Sequence, residues 1–401
     1  MWTAKIILTV VLGSMLISLS HGSLSEEMVT ASNAFSIDLM KTIFSSEKRQ
    51  KNTVVSPLSL STVLSMVQQG SGGNTLKELD QVLHAQPKST REGFKDLIQE
   101  LSGDLEDIKL EIANKLYVRT GFDILKSFVN IVKKDFRSDI EDLNFSDAAS
   151  AADTINSWVS ENTHHKIQSL VTKDMITPDT VLMLLNAVYF SGGWDTVFAE
   201  RNTNMQPFTT LDGNSKDVAT MHHYQEILVG GHNSDIGAKY VHLPFSNNQF
   251  SMLLIVPDAV DGLKGVLNSL TTQKLVSLIR EVDTRYVDLA LPKYKFDTTS
   301  KLVPTLKKMG VYDLFDISAN LTGISLRPLK ATEVIQKAEI EVDEKGAKAV
   351  AVTAVVIVEL ESLIILPNTE TLDIKADHPF LFFIVDTSNS VPLFSGWVGE
   401  P

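Results

Sequence analysis

The sequence predicts an α+β domain, with helices weighted to its front and strands to its back. Three observations carry this. Apolar residues recur at helical spacing through the first third, short apolar runs suited to strands dominate later, and no Pro/Gly/Ser-rich linker, low-complexity tract or internal repeat divides the chain. With 401 residues it is long enough to bury a substantial core. There is no cysteine, so stability has to come from packing alone. The formal charge of −13 argues against nucleic acid or an anionic membrane as the main partner, because both call for a basic surface.

Residues 1–22 have the three parts of a secretory signal: Lys5, an apolar core from Ile6 to Ile17, and small Ser20 and Gly22 at the cleavage positions. Cleavage after Gly22 leaves 23–401 as a single expected domain of a secreted protein. The apolar core is too short for a membrane anchor, and Ser18, Ser20 and His21 close it. Glu26 to Ile43 then carries Met28, Ala31, Phe35, Leu39 and Ile43 on one helical face. Lys48, Arg49 and Lys51 read as a solvated loop. Pro57 opens a second helix with Ser56 as its N-cap, and Gly70, Gly72 and Gly73 end it. Asn74 and Thr75 start another helix through Leu83. Further helices are expected at Gly93–Leu101, Leu125–Phe136 and Ala149–Val159. Strands are expected at Leu110–Val118, Thr180–Phe190, Tyr240–Pro244, Phe250–Val256, Tyr286–Leu291, Ile335–Val342 and Phe380–Val385. Asn144 and Asn320 begin glycosylation sequons.

The run from Glu344 to Leu360 stands apart. It has no proline and no charge between Lys348 and Glu359. As a strand, one face would carry Ala347, Ala349, Ala351, Thr353, Val355 and Ile357, and the other Lys348, Val350 and Val352. An ordinary buried strand and a strand whose small leading end slips between existing strands both fit this pattern, and periodicity does not separate them.

Signatures of catalysis are missing. The sequence has no phosphate-binding loop, no G-x-G-x-x-G, no H-E-x-x-H and no G-x-S-x-G. His164-His165 and His222-His223 are adjacent pairs. Neighbours one apart do not share a helix face, so neither pair makes a chelate by itself, and no metal or cofactor is expected.

Several separated segments resemble the serpin family, and in order. They include Asn52-Thr-Val-Val-Ser-Pro-Leu-Ser-Leu60, Asn186-Ala-Val-Tyr-Phe-Ser-Gly-Gly-Trp194, Leu306-Lys-Lys-Met-Gly-Val311, His378-Pro-Phe-Leu-Phe-Phe383 and Pro392-Leu-Phe-Ser-Gly-Trp397. The resemblance spans essentially all of 23–401. It implies a serpin fold of three β-sheets with eight to nine helices and an exposed reactive-centre loop at about 344–373. It also implies no enzyme, but a secreted inhibitor whose partner is a serine protease. In the family the protease cuts the loop and is trapped covalently as the freed loop inserts into the central sheet. Strand addition of this kind is a recognised binding mode.

The resemblance places a hinge at Glu344, Gly346, Ala347, Ala349, Ala351 and Thr353. Small, uncharged inward residues there suit insertion, since proline would remove a ladder donor and a charge would be buried unpaired. Counting from Glu344 places the reactive bond at Leu360–Glu361, whereas counting back from His378-Pro379 reaches Pro367 to Asn368, because the loop is longer than usual. Ser56, Ser59 and Asn186 resemble the polar cluster that gates sheet opening, Gln336 stands where the family often has His, and Trp194 resembles the aromatic at the loop's entry. Between Ala349 and Ala376 the only basic residue is Lys375. Trypsin-like enzymes are therefore not expected as targets. Leu360, or else Leu363 or Leu366, suits an elastase-like or chymotrypsin-like pocket, while Glu359 or Glu361 would serve an acid-specific protease. A non-inhibitory carrier, storage protein or chaperone is the alternative. A monomer is expected, with polymerisation through the β-branched Val350–Val358 run as its failure mode.

Overall fold

The computed structural model describes residues 24–46, 52–103, 105, 107–347 and 370–401. The expected signal segment, the basic cluster at 48–51 and the loop from 348 to 369 lie outside these.

The front of the chain is helical. Helix α1 (Glu26–Phe44) is capped by Ser25, whose hydroxyl accepts from the Met28 amide. A short strand, β1 (Asn52–Val55), leads into α2 (Pro57–Gln68). There Ser56 is the N-cap and Pro57 the first helical residue, as the sequence predicts. Every residue of α2 is buried, so it is a core helix with no solvent face. Helices α3 (Gly73–Leu83) and α4 (Pro87–Leu101) follow. The fourth begins six residues before the predicted Gly93, because Pro87 initiates it. Then come β2 (Lys109–Arg119), α5 (Lys126–Asp135), β3 (Asp139–Leu143), α6 (Ala148–Asn162) and β4 (Leu182–Gly193).

The back is mainly strand: β5 (Asn204–Thr209), β6 (Ser215–Asn233), β7 (Ala238–Pro244) and β8 (Phe250–Pro257). Short helices α7 (Leu263–Ser269) and α8 (Thr272–Ile279) precede β9 (Thr284–Pro292) and β10 (Tyr294–Lys301). After α9 (Val303–Met309) come β11 (Ala331–Asp343), β12 (Gly346–Ala347), β13 (Leu372–Lys375), β14 (Phe380–Asp386) and β15 (Val391–Val398).

The strands form a six-stranded sheet, in the order β10-β11-β12-β4-β2-β3, and a nine-stranded one, β1-β15-β14-β8-β7-β6-β9-β13 with β5 on β6. Where three sheets are expected, two of them are continuous through β6. This strand pairs with β7 at one end and with β9 along the rest, with a bulge between His223 and Glu226. The large core lies between the six-stranded sheet, the helices α1 to α4 and the nine-stranded sheet. A smaller core packs α6 on the opposite face through Ile155 and Val159 against Ala113, Tyr117, Leu185 and Tyr189. No helix among the described residues is long and apolar enough to cross a membrane.

Candidate functional site: a partly open seam in the central sheet

The middle of the six-stranded sheet is a seam between β11 and β4. The two strands pair in parallel from Ala331↔Leu182 to Glu339↔Tyr189. Beyond that point they part, and β12 occupies the gap. Gly346 and Ala347 pair antiparallel with Asp343 and Val342 on one side and with Gly193 and Gly192 on the other. Gly346 makes this approach possible, since a Cβ there would collide with the Gly192 carbonyl oxygen and lie 2.7 Å from the Gly193 Cα. Ala347 is 1% exposed and belongs to the large core. Of the hinge residues assigned from the sequence, Glu344 lies in the turn before β12, and Gly346 and Ala347 lie within the sheet. Ala349, Ala351, Thr353 and the Leu360–Glu361 bond lie outside the described residues.

The turn before β12 is fastened at several points. Glu344 is 8% exposed. Its carboxylate accepts from Lys293 Nζ at 2.7 Å and from Thr203 Oγ1 at 2.8 Å. Burial opposes its ionisation, but these hydrogen bonds prevail and hold the carboxyl below its ordinary range. The Glu344 carbonyl accepts from the Phe198 amide at 2.9 Å, and the Lys345 carbonyl from the Trp194 amide at 2.9 Å. Trp194 also donates its indole N–H to the Asp343 carbonyl at 3.0 Å and stacks on Phe245 with ring centroids 4.8 Å apart. The residue placed by sequence at the loop's entry thus holds the turn from beneath. Thr203, Lys293 and Phe198 were not singled out as contacts of Glu344, and their distance from it in sequence explains why.

Lower in the seam lies a row of carboxamides. Gln336 on β11 is in register with Asn186 on β4, and Asn186 with Asn114 on β2. The Gln336 amide donates to Asn186 Oδ1 at 2.6 Å and to the Ser56 carbonyl at 2.9 Å, and its oxygen accepts from the Ser56 amide at 2.9 Å. Asn186 donates to Ser59 Oγ and Asn114 Oδ1, and Ser59 Oγ donates to Asn114 Oδ1 at 3.0 Å. The Ser56 hydroxyl donates to the Leu393 carbonyl at 2.7 Å. Ser56, Ser59, Asn186 and Gln336 are thus brought together, joined by Asn114. Asn114 was legible in principle: it interrupts the apolar face Leu110, Ile112, Leu116, Val118 at a position of inward parity. Of the two sequons, Asn144 is exposed, whereas Asn320 is half-buried with its side chain against Gly72.

The central sheet thus pairs along part of its seam and holds a two-residue third segment at one end. Comparison with known proteins identifies the fold. The family model described as Serpin (serine protease inhibitor) matches residues 30–401. Human Serpin B4 is 32% identical over 400 residues, covering 94% of this chain and all of its own. The bovine leukocyte elastase inhibitor is 30% identical, with 94% of this chain and all of the relative covered. The structure of Serpin48 from Tenebrio molitor superposes with a TM-score of 0.83 at 29% identity, covering 94% of this chain and 99% of that one. The chain belongs to the serpin family.

Proposed function

We propose that this protein is a secreted inhibitor of serine proteases that acts as a suicide substrate, its loop being cut and then drawn into the seam between β11 and β4. The observation that carries this reading is the pairing of Gly346 and Ala347 with both seam strands, which already presents the start of the loop in insertion geometry. The composition of the following residues supports it, since no proline interrupts them up to Pro367. The target favoured is an elastase-like or chymotrypsin-like protease cutting at Leu360–Glu361 or within the few residues beyond. Lys375 is the only basic residue between Ala349 and Ala376, and one relative bears the name leukocyte elastase inhibitor. The leader-like residues 1–22 and the exposed Asn144 sequon support secretion with glycosylation.

The test mixes the protein with an elastase-like and a chymotrypsin-like protease and resolves the products on a denaturing gel. A covalent complex is expected, and N-terminal sequencing of the released C-terminal peptide locates the bond. Cleavage without complex, together with no rise in thermal stability once the loop is cut, would sink the proposal and favour a non-inhibitory role. Ala347→Arg should convert inhibitor to substrate, because Ala347 faces the core and a charge there would be buried unpaired.

A further inference from the structure

The turn between β14 and β15 is built around a buried carboxyl group. Asp386 ends β14, is fully buried, and pairs in register with Val391 on β15 and Phe250 on β8. Among the described residues no Lys, Arg or His side chain pairs with it. Its Oδ1 accepts from the amides of Ser388 at 3.0 Å and Asn389 at 3.2 Å, and its Oδ2 from the Asn389 side-chain amide at 2.8 Å. That same amide nitrogen donates to Glu100 Oε1, near the end of α4, at 3.1 Å. The two carboxyl oxygens it joins therefore lie within about 6 Å of each other, close enough for like charges to repel. Asn389 Oδ1 accepts from the Leu24 amide at 3.1 Å. One buried carboxamide thus fastens the head of the described chain and the last turn of α4 to the nine-stranded sheet.

The other charged and titratable groups around this turn are engaged elsewhere. Arg280 bonds Ser390 Oγ at 3.0 Å and pairs with Glu26 at 2.8 Å. Glu281 accepts from the amides of Val282 and Asp283, and His242 bonds the Leu278 carbonyl. Burial pushes the Asp386 carboxyl up to about 6; the hydrogen bonds from Asn389 and Ser388 oppose the rise, and the Glu100 charge adds to it. We propose that Asp386, Asn389 and Glu100 form a clamp that tightens on mild acidification, when Asp386 takes up a proton and the head of the chain and the end of α4 are held more firmly on the nine-stranded sheet. Oδ1 already serves two backbone amides, so the proton goes to Oδ2. As a hydroxyl oxygen, Oδ2 still accepts from Asn389, while the repulsion from Glu100 is gone. The folded value lies above the ordinary 3.8, so the folded state binds the proton more tightly than the unfolded one. This contribution to stability is fully present below the unfolded value and is lost as pH rises through the folded one. A chain exported through mildly acidic compartments would be held most firmly there and loosen in neutral fluid. That consequence rests on the secretory reading; the clamp does not.

The test is hydrogen exchange of the full chain, expressed as protection factors so that the intrinsic effect of pH is removed. Between about pH 7.5 and about pH 5, protection of the Ser388 and Asn389 amides and of the last turn of α4 should rise about tenfold, the factor set by a carboxyl that titrates near 6 when the clamp is closed and near 3.8 when it is open. Asp386→Asn should abolish the rise. Glu100→Gln keeps an acceptor for Asn389 but removes the repulsion, so its rise should begin at lower pH and be smaller at the acid end. Circular dichroism confirms that both variants fold; should Asp386→Asn fail, Glu100→Gln carries the test alone. No rise in the wild type, an undiminished rise in the variants, or an equal rise throughout the amides of β4, which would mark a global effect, would each overturn the proposal. Retention of the expressed chain inside cells would remove only the secretory consequence.

Discussion

Gln336 ties β11 both to β4 and to the start of α2. Its carboxamide makes three hydrogen bonds, to both backbone groups of Ser56 and to Asn186, and it is 1% exposed. Replacing it with alanine leaves the Ser56 amide and Asn186 Oδ1 without these partners. We expect Gln336→Ala to destabilise the protein by about 1–3 kcal/mol, read as a lower urea midpoint. None of the five side chains in the cluster titrates near neutrality, so it gives the seam no pH response of its own. Glu344 behaves differently. Its folded pKa lies below the ordinary 4.5, so its contribution is fully present above that value and is lost as pH falls through the lower, folded one. Acidification below the ordinary carboxyl value and on through the lower, folded one should therefore loosen the turn. The Trp194 environment should report this as a fluorescence change absent from Glu344→Gln.

At the scale of elements, β12 depends on close backbone approach. Gly346→Ala should expel the two-residue strand by collision with the Gly192 carbonyl, raising hydrogen exchange at Gly346 and Ala347 without lowering the unfolding midpoint of the core. The elements legible in the sequence were those whose pattern is set by burial. Strand β4 is buried at every position, β8 likewise, and α2 announces itself by Ser56 and Pro57. Three of the missed strands have plain physical reasons. Strand β10, at the edge of its sheet, exposes Lys295, Asp297 and Lys301, and so reads as a polar loop. Strand β5 contains Pro207 and pairs only with β6, the edge setting in which proline is tolerated. In β6 the exposed Tyr224, Gln225 and Ile227 around a bulge break the alternation that would have marked a strand of 19 residues.

At the scale of the molecule, two long-range features matter: the closed lower seam and the absence of cysteine. Ala338 and Val188 face each other across the seam, both fully buried. Ala338→Cys with Val188→Cys introduces the only two thiols in the chain, at a spacing neighbouring strands allow for a disulfide. Oxidised, this double variant should be cleaved by the target protease without trapping it; reduced, it should recover trapping. Trapping by the oxidised protein would show that this part of the seam need not part. The candidate site was legible only in pieces. Ser56, Asn186 and Gln336 could be named one by one, but their meeting depends on β11 lying beside β4 across about 150 residues of sequence, which no local pattern encodes.

The two residues of β12 also settle a question of parity. In a regular pleated strand sidedness alternates, and a slip of one residue turns every side chain over. With Ala347 seated inward between Gly192 and Val342, any pairing that grows from it inherits odd-numbered residues toward the core and even-numbered ones toward solvent. On the proposed mechanism this choice precedes cleavage: like a slide fastener whose first tooth is already engaged, an inserting loop would close in step.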